Sequence, residues 1–253
     1  MSSGLVAAVT TISIFACVWI GMALRKLLPP SHLDPDSRDA MKIVAGMITM
    51  LAAVVLGLLV SSAKERYDSA SAAIVESSAR VIMLDGALAA YGPETKALRE
   101  QLRQKVADSI ALLWPEQGKR DSLKAFEKGA PMQQLMLQVG GLMPQTELQR
   151  ELQKQAMEHC NKILISRWLQ IEQAQNGVPL PFIIVLVFWL SMLYMAFGLL
   201  APHNTTVITA VFVGALAPAT AMFLVIEMNQ PMDGFIRIPS APMLNALEHL
   251  ARQ

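Results

Sequence analysis

Few residues of this 253-residue chain are of types that do chemistry, and their spacing is poor for it. The four histidines are His32, His159, His203 and His249, and no two stand at metal-ligand spacing. His159 and Cys160 are neighbours, but adjacent helical residues point about 100° apart, so they do not face each other. There is no H-E-x-x-H, no P-loop and no G-x-S-x-G. No catalytic residue, no metal site and no cofactor is expected, and an enzyme is not the reading. Cys17 and Cys160 lie in unlike surroundings, one apolar and one charged, so no disulfide between them is expected.

Two other patterns carry more. Gly46, Thr49, Ala53, Gly57 and Ser61 recur at steps of three or four inside an uncharged run. That spacing puts them on one helix face. In a bilayer such a face lets another helix backbone approach closely. Alternatively it lines a shared axis between subunits. The second pattern is Glu227, a carboxylate where another uncharged run ends. Facing the protein interior it is a functional candidate; at the headgroups it is simply solvated.

The elements that position these residues follow from the charge distribution. The runs 5–24, 43–63, 180–200 and 205–226 contain no charged residue. Each has about the 20 residues that span ~30 Å of hydrocarbon. By contrast, residues 64–178 hold 15 Lys/Arg and 14 Asp/Glu. The expected fold is all-α. It is an integral membrane protein with four transmembrane helices and a helical-bundle insert between spans 2 and 3. The expected divisions are spans 1 and 2 in 1–63, the insert in 64–178, a hairpin of spans 3 and 4 in 179–228, and a tail in 229–253. The net charge of +1, without basic–aromatic clusters, gives no case for nucleic acid.

Span 2 is the axis of this plan. Nothing between Gly57 and Gly86 breaks a helix. One helix from Ser37 to Tyr91 is expected, roughly 80 Å long at 1.5 Å per residue. Asp36 or Ser37 is expected to cap it. Tyr91-Gly92-Pro93 closes it, since Gly just past a helix end followed by Pro is a stop signal. Glu94–Leu113 reads as the next helix, with Arg99 among its solvated charges. Two short helices are expected in 121–128 and 132–143. Thr146-x-x-Gln149 reads as a capping box. It opens a long helix over 147–176 with Leu148, Leu152, Ala156, His159, Ile163 and Ile171 as its buried positions. That helix pairs antiparallel with the second half of the span-2 rod. Span 3 is rich in Phe, Trp, Met and Leu, which suits lipid contact. Pro218 predicts a kink in span 4. In the tail, Ser240 is placed to cap a helix with Met243, Leu244, Leu247 and Leu250 on one side. That helix either lies on the membrane surface or docks on the insert.

Three segments carry a family resemblance. They are Leu56–Val60 followed by Ser61–Lys64, then Leu84-Asp85 through Tyr91-Gly92-Pro93, and Ile226–Pro231 continuing to Gly234-x-Ile236-Arg237-Ile238-Pro239-Ser240-Ala241-Pro242. They resemble a widespread family of bacterial four-span membrane proteins named bestrophin-like, over essentially the whole chain. The tail motif, with Pro231, Gly234, Arg237, Ser240 and Pro242, is the most specific part. The resemblance implies similarity to bestrophins, which are pentameric anion channels whose second span lines the pore. It therefore implies a homo-oligomer in membrane lipid, a pentamer by analogy, passing small inorganic ions. It also implies a bacterial inner membrane location with a cytosolic insert. The bestrophin neck is not carried over, because the span-2 stripe has no Phe, and no acidic cluster matches a calcium clasp.

Two functions follow. One is an oligomeric channel or pore with span 2 near the central axis and the insert as a vestibule. The other is a membrane-anchored sensor or scaffold whose insert binds a ligand or partner protein.

Overall fold

The structure, a computed structural model, describes residues 3–29, 34–114, 131–175, 180–200, 204–232 and 235–252. The described residues form helices and connecting turns, with no strand among them. In chain order the helices are α1 (Ser3–Leu27), α2 (Pro35–Tyr91), a 3₁₀ turn (Pro93–Thr95), α3 (Lys96–Leu113), α4 (Pro131–Gly140), α5 (Glu147–Gln175), α6 (Leu180–Leu200), α7 (Thr205–Met228) and α8 (Ala241–Arg252). Four of them are long and apolar enough to cross a membrane: α1, α2, α6 and α7. Span 2 and the first insert helix are one 57-residue helix, α2. The expected helix at 121–128 and the break at 176–179 lie outside the described residues.

The chain divides into two units. One comprises Met1–Arg66 and Gly177–Asn229, the other Tyr67–Asn176 and Gln230–Gln253. In the membrane unit, α1 packs along α6 and also touches α7. The contact is close because glycines meet backbone. A Cβ on Gly21 would lie 2.1 Å from the carbonyl oxygen of Met195, and one on Gly198 would lie 2.2 Å from that of Val18. Between lipid-bathed helices, close backbone approach is what gains van der Waals contact. Ser13 and Ser191 share a hydroxyl hydrogen bond of 3.1 Å across the same pair. Ile14, Val18 and Met22 meet Leu186, Leu190 and Tyr194, together with Ala52, Leu59, Met222 and Val225. Span 3 is therefore exposed on one side only, where Phe182 and Phe188 lie. Its other side is core, because Gly198 lets α1 in. Helix α7 runs through Pro218 without interruption. Its Asn204 cap accepts the Val207 N–H at 2.9 Å.

The cap of α2 lies earlier than expected. Asp34 Oδ1 accepts the Ser37 N–H at 3.1 Å, and Pro35 takes the first helical position, where its missing N–H costs nothing.

In the insert unit, Val81, Leu84 and Leu88 of α2 pack with Leu98, Leu102 and Val106 of α3, Leu135 and Val139 of α4, and Ala156 and Cys160 of α5. Gly92 stops α2 at φ 144 and ψ 175, a conformation essentially confined to glycine. Thr95 is fully buried beneath this turn and its hydroxyl donates to the Leu88 and Gly92 carbonyls.

The expected face of α5 holds at Ala156, which is buried, and at Leu152, His159 and Ile163, which are half-buried, and fails at Leu148; the side chain of Ile171 lies outside the described residues. Leu148 is 68% exposed, whereas Ala156 and Cys160 are buried. Glutamines set the rotation. Gln149 Nε2 donates to the Tyr91 carbonyl at 3.0 Å. Gln153 Nε2 reaches the Val139, Gly140 and Leu142 carbonyls at 2.9, 3.2 and 3.0 Å. These carbonyls lie at and just past the end of α4, so amide side chains rather than Leu148 face the bundle. The Thr146 cap forms, with its Oγ1 accepting the Gln149 N–H at 3.1 Å. The return bond goes to the Gln145 N–H rather than to Thr146.

Of the two placements open to the tail helix, α8 takes the dock on the insert. It packs on α3 and buries Ala246 and Leu250, while Leu244 is 42% exposed.

Candidate functional site

The five residues of the α2 stripe share one environment. Gly46, Thr49, Ala53, Gly57 and Ser61 are all exposed in the subunit. A Cβ on Gly46 or Gly57 would meet nothing within 4 Å. The buried residues Ala45, Ala52, Leu59 and Ala63 lie on another face of the helix. The small residues are therefore not the contact that holds this subunit's own spans together. The Thr49 hydroxyl donates to the Ala45 carbonyl at 2.7 Å, so its oxygen lone pairs stay available. Beside the stripe, Met47, Met50 and Leu58 are also exposed, at 63%, 72% and 65%. The face offers small side chains, hydroxyls and no charge. Chemically it can line a narrow aqueous path or accept a close helix, and it carries no acid or base of its own.

Glu227 is 1% exposed. It stands with Val225 and Ile226 among the buried residues of the last turn of α7. The next turn is closed by Asn229, whose Nδ2 donates to the Val225 carbonyl at 2.7 Å.

The tail motif is a turn fastened to the insert. The Ile238 N–H donates to the Pro231 carbonyl at 3.0 Å. Tyr67 Oη donates to the Arg237 carbonyl at 3.3 Å. Trp114 Nε1 donates to the Ile238 carbonyl at 2.8 Å. Ser240 contributes its carbonyl to the first bond of α8, from the Leu244 N–H, and Pro242 sits in the first turn. Gly234 lies outside the described residues.

One constellation escaped the sequence reading. Arg99 is not a solvated charge. Its Nε and Nη2 donate to the two carboxylate oxygens of Asp85 at 2.7 and 2.8 Å. Asp85 is 1% exposed. This is the bidentate fork geometry that guanidinium and carboxylate favour. The carboxylate's hydrogen bond raises the Arg99 pKa above its usual value. The signal was present, because Asp85 is an acidic residue in the middle of an apolar stripe.

His159 and Cys160 do not make a reactive pair. Burial pushes the Cys160 thiol up to about 11. Burial also lowers the His159 pKa, and its Nδ1 is enclosed without a hydrogen-bond partner. A thiol of that pKa is scarcely ionised at neutral pH and is a poor nucleophile. Among the described residues no three His, Cys, Asp or Glu side chains converge as a metal site would need.

Comparison with known proteins places this architecture. No curated protein matches the chain. Several solved structures share its fold, among them these two. A crystal structure of a point variant of a membrane protein aligns over 96% of this chain and 97% of its own, with TM-score 0.63 and 12% identity. A point variant of a bacterial bestrophin homologue from Klebsiella pneumoniae aligns over 98% of this chain and 97% of its own, with TM-score 0.60 and 15% identity. A family model, the bestrophin-like domain, matches residues 12–243. With four membrane-length helices, an insert carried on the second of them and a family match over nearly its whole length, the chain belongs to the bestrophin-like family.

Proposed function

We propose that the chain is one subunit of an oligomeric membrane pore for small inorganic ions, with α2 nearest the shared axis and the insert forming a vestibule. One observation carries this reading. The uncharged small-residue stripe of α2 is turned away from the subunit's own helices, and only 11% of the apolar window of α2 is buried, the smallest share of the four spans. Lipid alone has no need of glycines and hydroxyls on such a face. A narrow axis does, because small residues leave room and hydroxyls hydrogen-bond to water and ions. Several copies around the axis, five by bestrophin analogy, complete the wall. We extend the same analogy to a bacterial inner-membrane location with the insert in the cytosol.

Purified protein reconstituted in liposomes provides the test. Ion flux under a gradient is expected, and Ala53→Trp or Gly57→Trp is expected to reduce it at least about tenfold by narrowing the path. Absence of flux under every gradient, voltage and pH tried rules against the pore.

A further inference from the structure

The insert has a concave feature separate from the α2 stripe. Helices α2 and α5 run antiparallel there, with Tyr91 beside Gln149 and Ser77 hydrogen-bonded to Ser166 at 3.2 Å. Between them lies a groove of about 400 Å³. Small-molecule sites occupy roughly 300–1,000 Å³. The groove exists because Ala72 and Ala73 stand where larger side chains would fill it. Ile165 and Leu169 form its apolar wall, at 50% and 55% exposure, in a part of the chain outside the membrane spans. Arg80 and Lys162 bring cationic groups to it and Glu76 a carboxylate, so two positive charges face one negative charge in the lining.

We propose that this groove binds a single-chain amphipathic anion of the fatty-acid class. Its carboxylate sits on Arg80 and Lys162 and its chain lies along Ala72, Ala73, Ile165 and Leu169. Three features support this. Ala72 and Ala73 stand eight and seven residues before Arg80 on α2, about 10–12 Å along the helix axis with Glu76 between, so the apolar and cationic parts are displaced as tail and head are. Each cation is paired within its own helix, Arg80 with Glu76 and Lys162 with Glu158. Lys162 and Glu158 are both well exposed, where such contacts are weak and screened, and Arg80, 22% exposed, meets a Glu76 that is 57% exposed. A guanidinium has five N–H donors and an ammonium three, so both keep donors for a second carboxylate. The volume suits one acyl chain, and the proposal commits to a free acid. It is independent of the pore reading.

The test is photolabelling of full-length protein in zwitterionic nanodiscs with a diazirine analogue of lauric acid, its methyl ester and the matching alkylamine. Labelled sites are mapped by mass spectrometry. The acid is expected to label residues 69–76 and 165–169 at least about tenfold more than the ester or the amine, as loss of charge-assisted bonds implies. Arg80→Ala with Lys162→Ala is expected to remove most of that labelling and leave labelling of α6 and α7 unchanged. Ala72→Leu, which fills the groove and keeps both cations, is expected to reduce it as well. Equal labelling by the three probes, or labelling indifferent to these variants, overturns the proposal. So does loss of labelling when anionic phospholipid replaces the zwitterionic lipid, which assigns the groove to a headgroup. An Ala72→Cys disulfide between copies in the unliganded protein overturns it too, in favour of a second copy as occupant.

Discussion

Gly21 and Gly198 stand where α1 and α6 touch backbone to backbone. A Cβ on either would come within 2.2 Å of a carbonyl oxygen of the other helix. No side-chain rearrangement relieves a clash with a main-chain atom. Gly21→Val and Gly198→Val are each expected to destabilise the membrane unit by at least ~2–3 kcal/mol, at the upper end of overpacking costs. Gly46→Ala and Gly57→Ala add a methyl where nothing stands within 4 Å, and are expected to leave the subunit's stability unchanged. Thermal unfolding of the four variants in one detergent checks both halves. Equal losses for all four would contradict the packing described.

The Asp85–Arg99 pair calls for a different experiment. Arg99→Leu strands a carboxylate that is 1% exposed. Breaking a buried pair on one side costs about 3–5 kcal/mol, since the remaining charge has no solvent to turn to. Arg99→Leu with Asp85→Leu is expected to recover much of that loss, because no uncompensated charge remains. Chemical denaturation of the single and double variants measures the recovery. A double variant as unstable as the single one would exclude a charge effect.

Acidification is expected to weaken the insert through His159. Burial is the first cause of its lowered pKa; Lys162 and Arg80 lower it further and Glu158 opposes them. The unfolded chain therefore binds the proton more readily than the folded one. The contribution to stability is complete above the ordinary value of 6.5 and is lost as pH falls below it toward the folded value. His159→Leu is expected to flatten the melting temperature in that window. An unchanged acid slope in this variant would assign the effect to other groups.

Cys160 is fully buried, and its thiol is pushed up to about 11. Near pH 8 only about 0.1% of such a thiol is thiolate. In a Cys17→Ser background, maleimide is expected to label Cys160 only as fast as the insert opens, and at once in denaturant. Rapid labelling of the native protein would contradict the burial.

The tail helix α8 is held partly by the Trp114 Nε1 bond to the Ile238 carbonyl. Trp114→Phe removes the donor and is expected to cost about 1 kcal/mol. Earlier proteolytic release of the tail, followed by mass spectrometry, is the readout.

Sequence alone determined what depends on composition and local period. The four uncharged runs, the uninterrupted helix from span 2 into the insert, the stop at Gly92-Pro93 and the Thr146 cap all rest on local chemistry, and each is found as expected. It also marked the α2 stripe and Glu227 as places to look. Tertiary structure decided which sides of the helices are covered. Leu148 and Cys160 both fit an apolar face of α5, and only the Gln149 and Gln153 bonds to carbonyls of other segments set the rotation. Arg99 looked solvated because its partner, fourteen positions earlier, lies on another helix. Gly21 and Gly198 are 177 residues apart, so neither hints at the other. Glu227 became an interior carboxylate only once α7 was packed. Helix formation is decided by neighbours three and four residues away. Which face is buried, and which charge is paired, is decided by chain segments that local sequence does not contain.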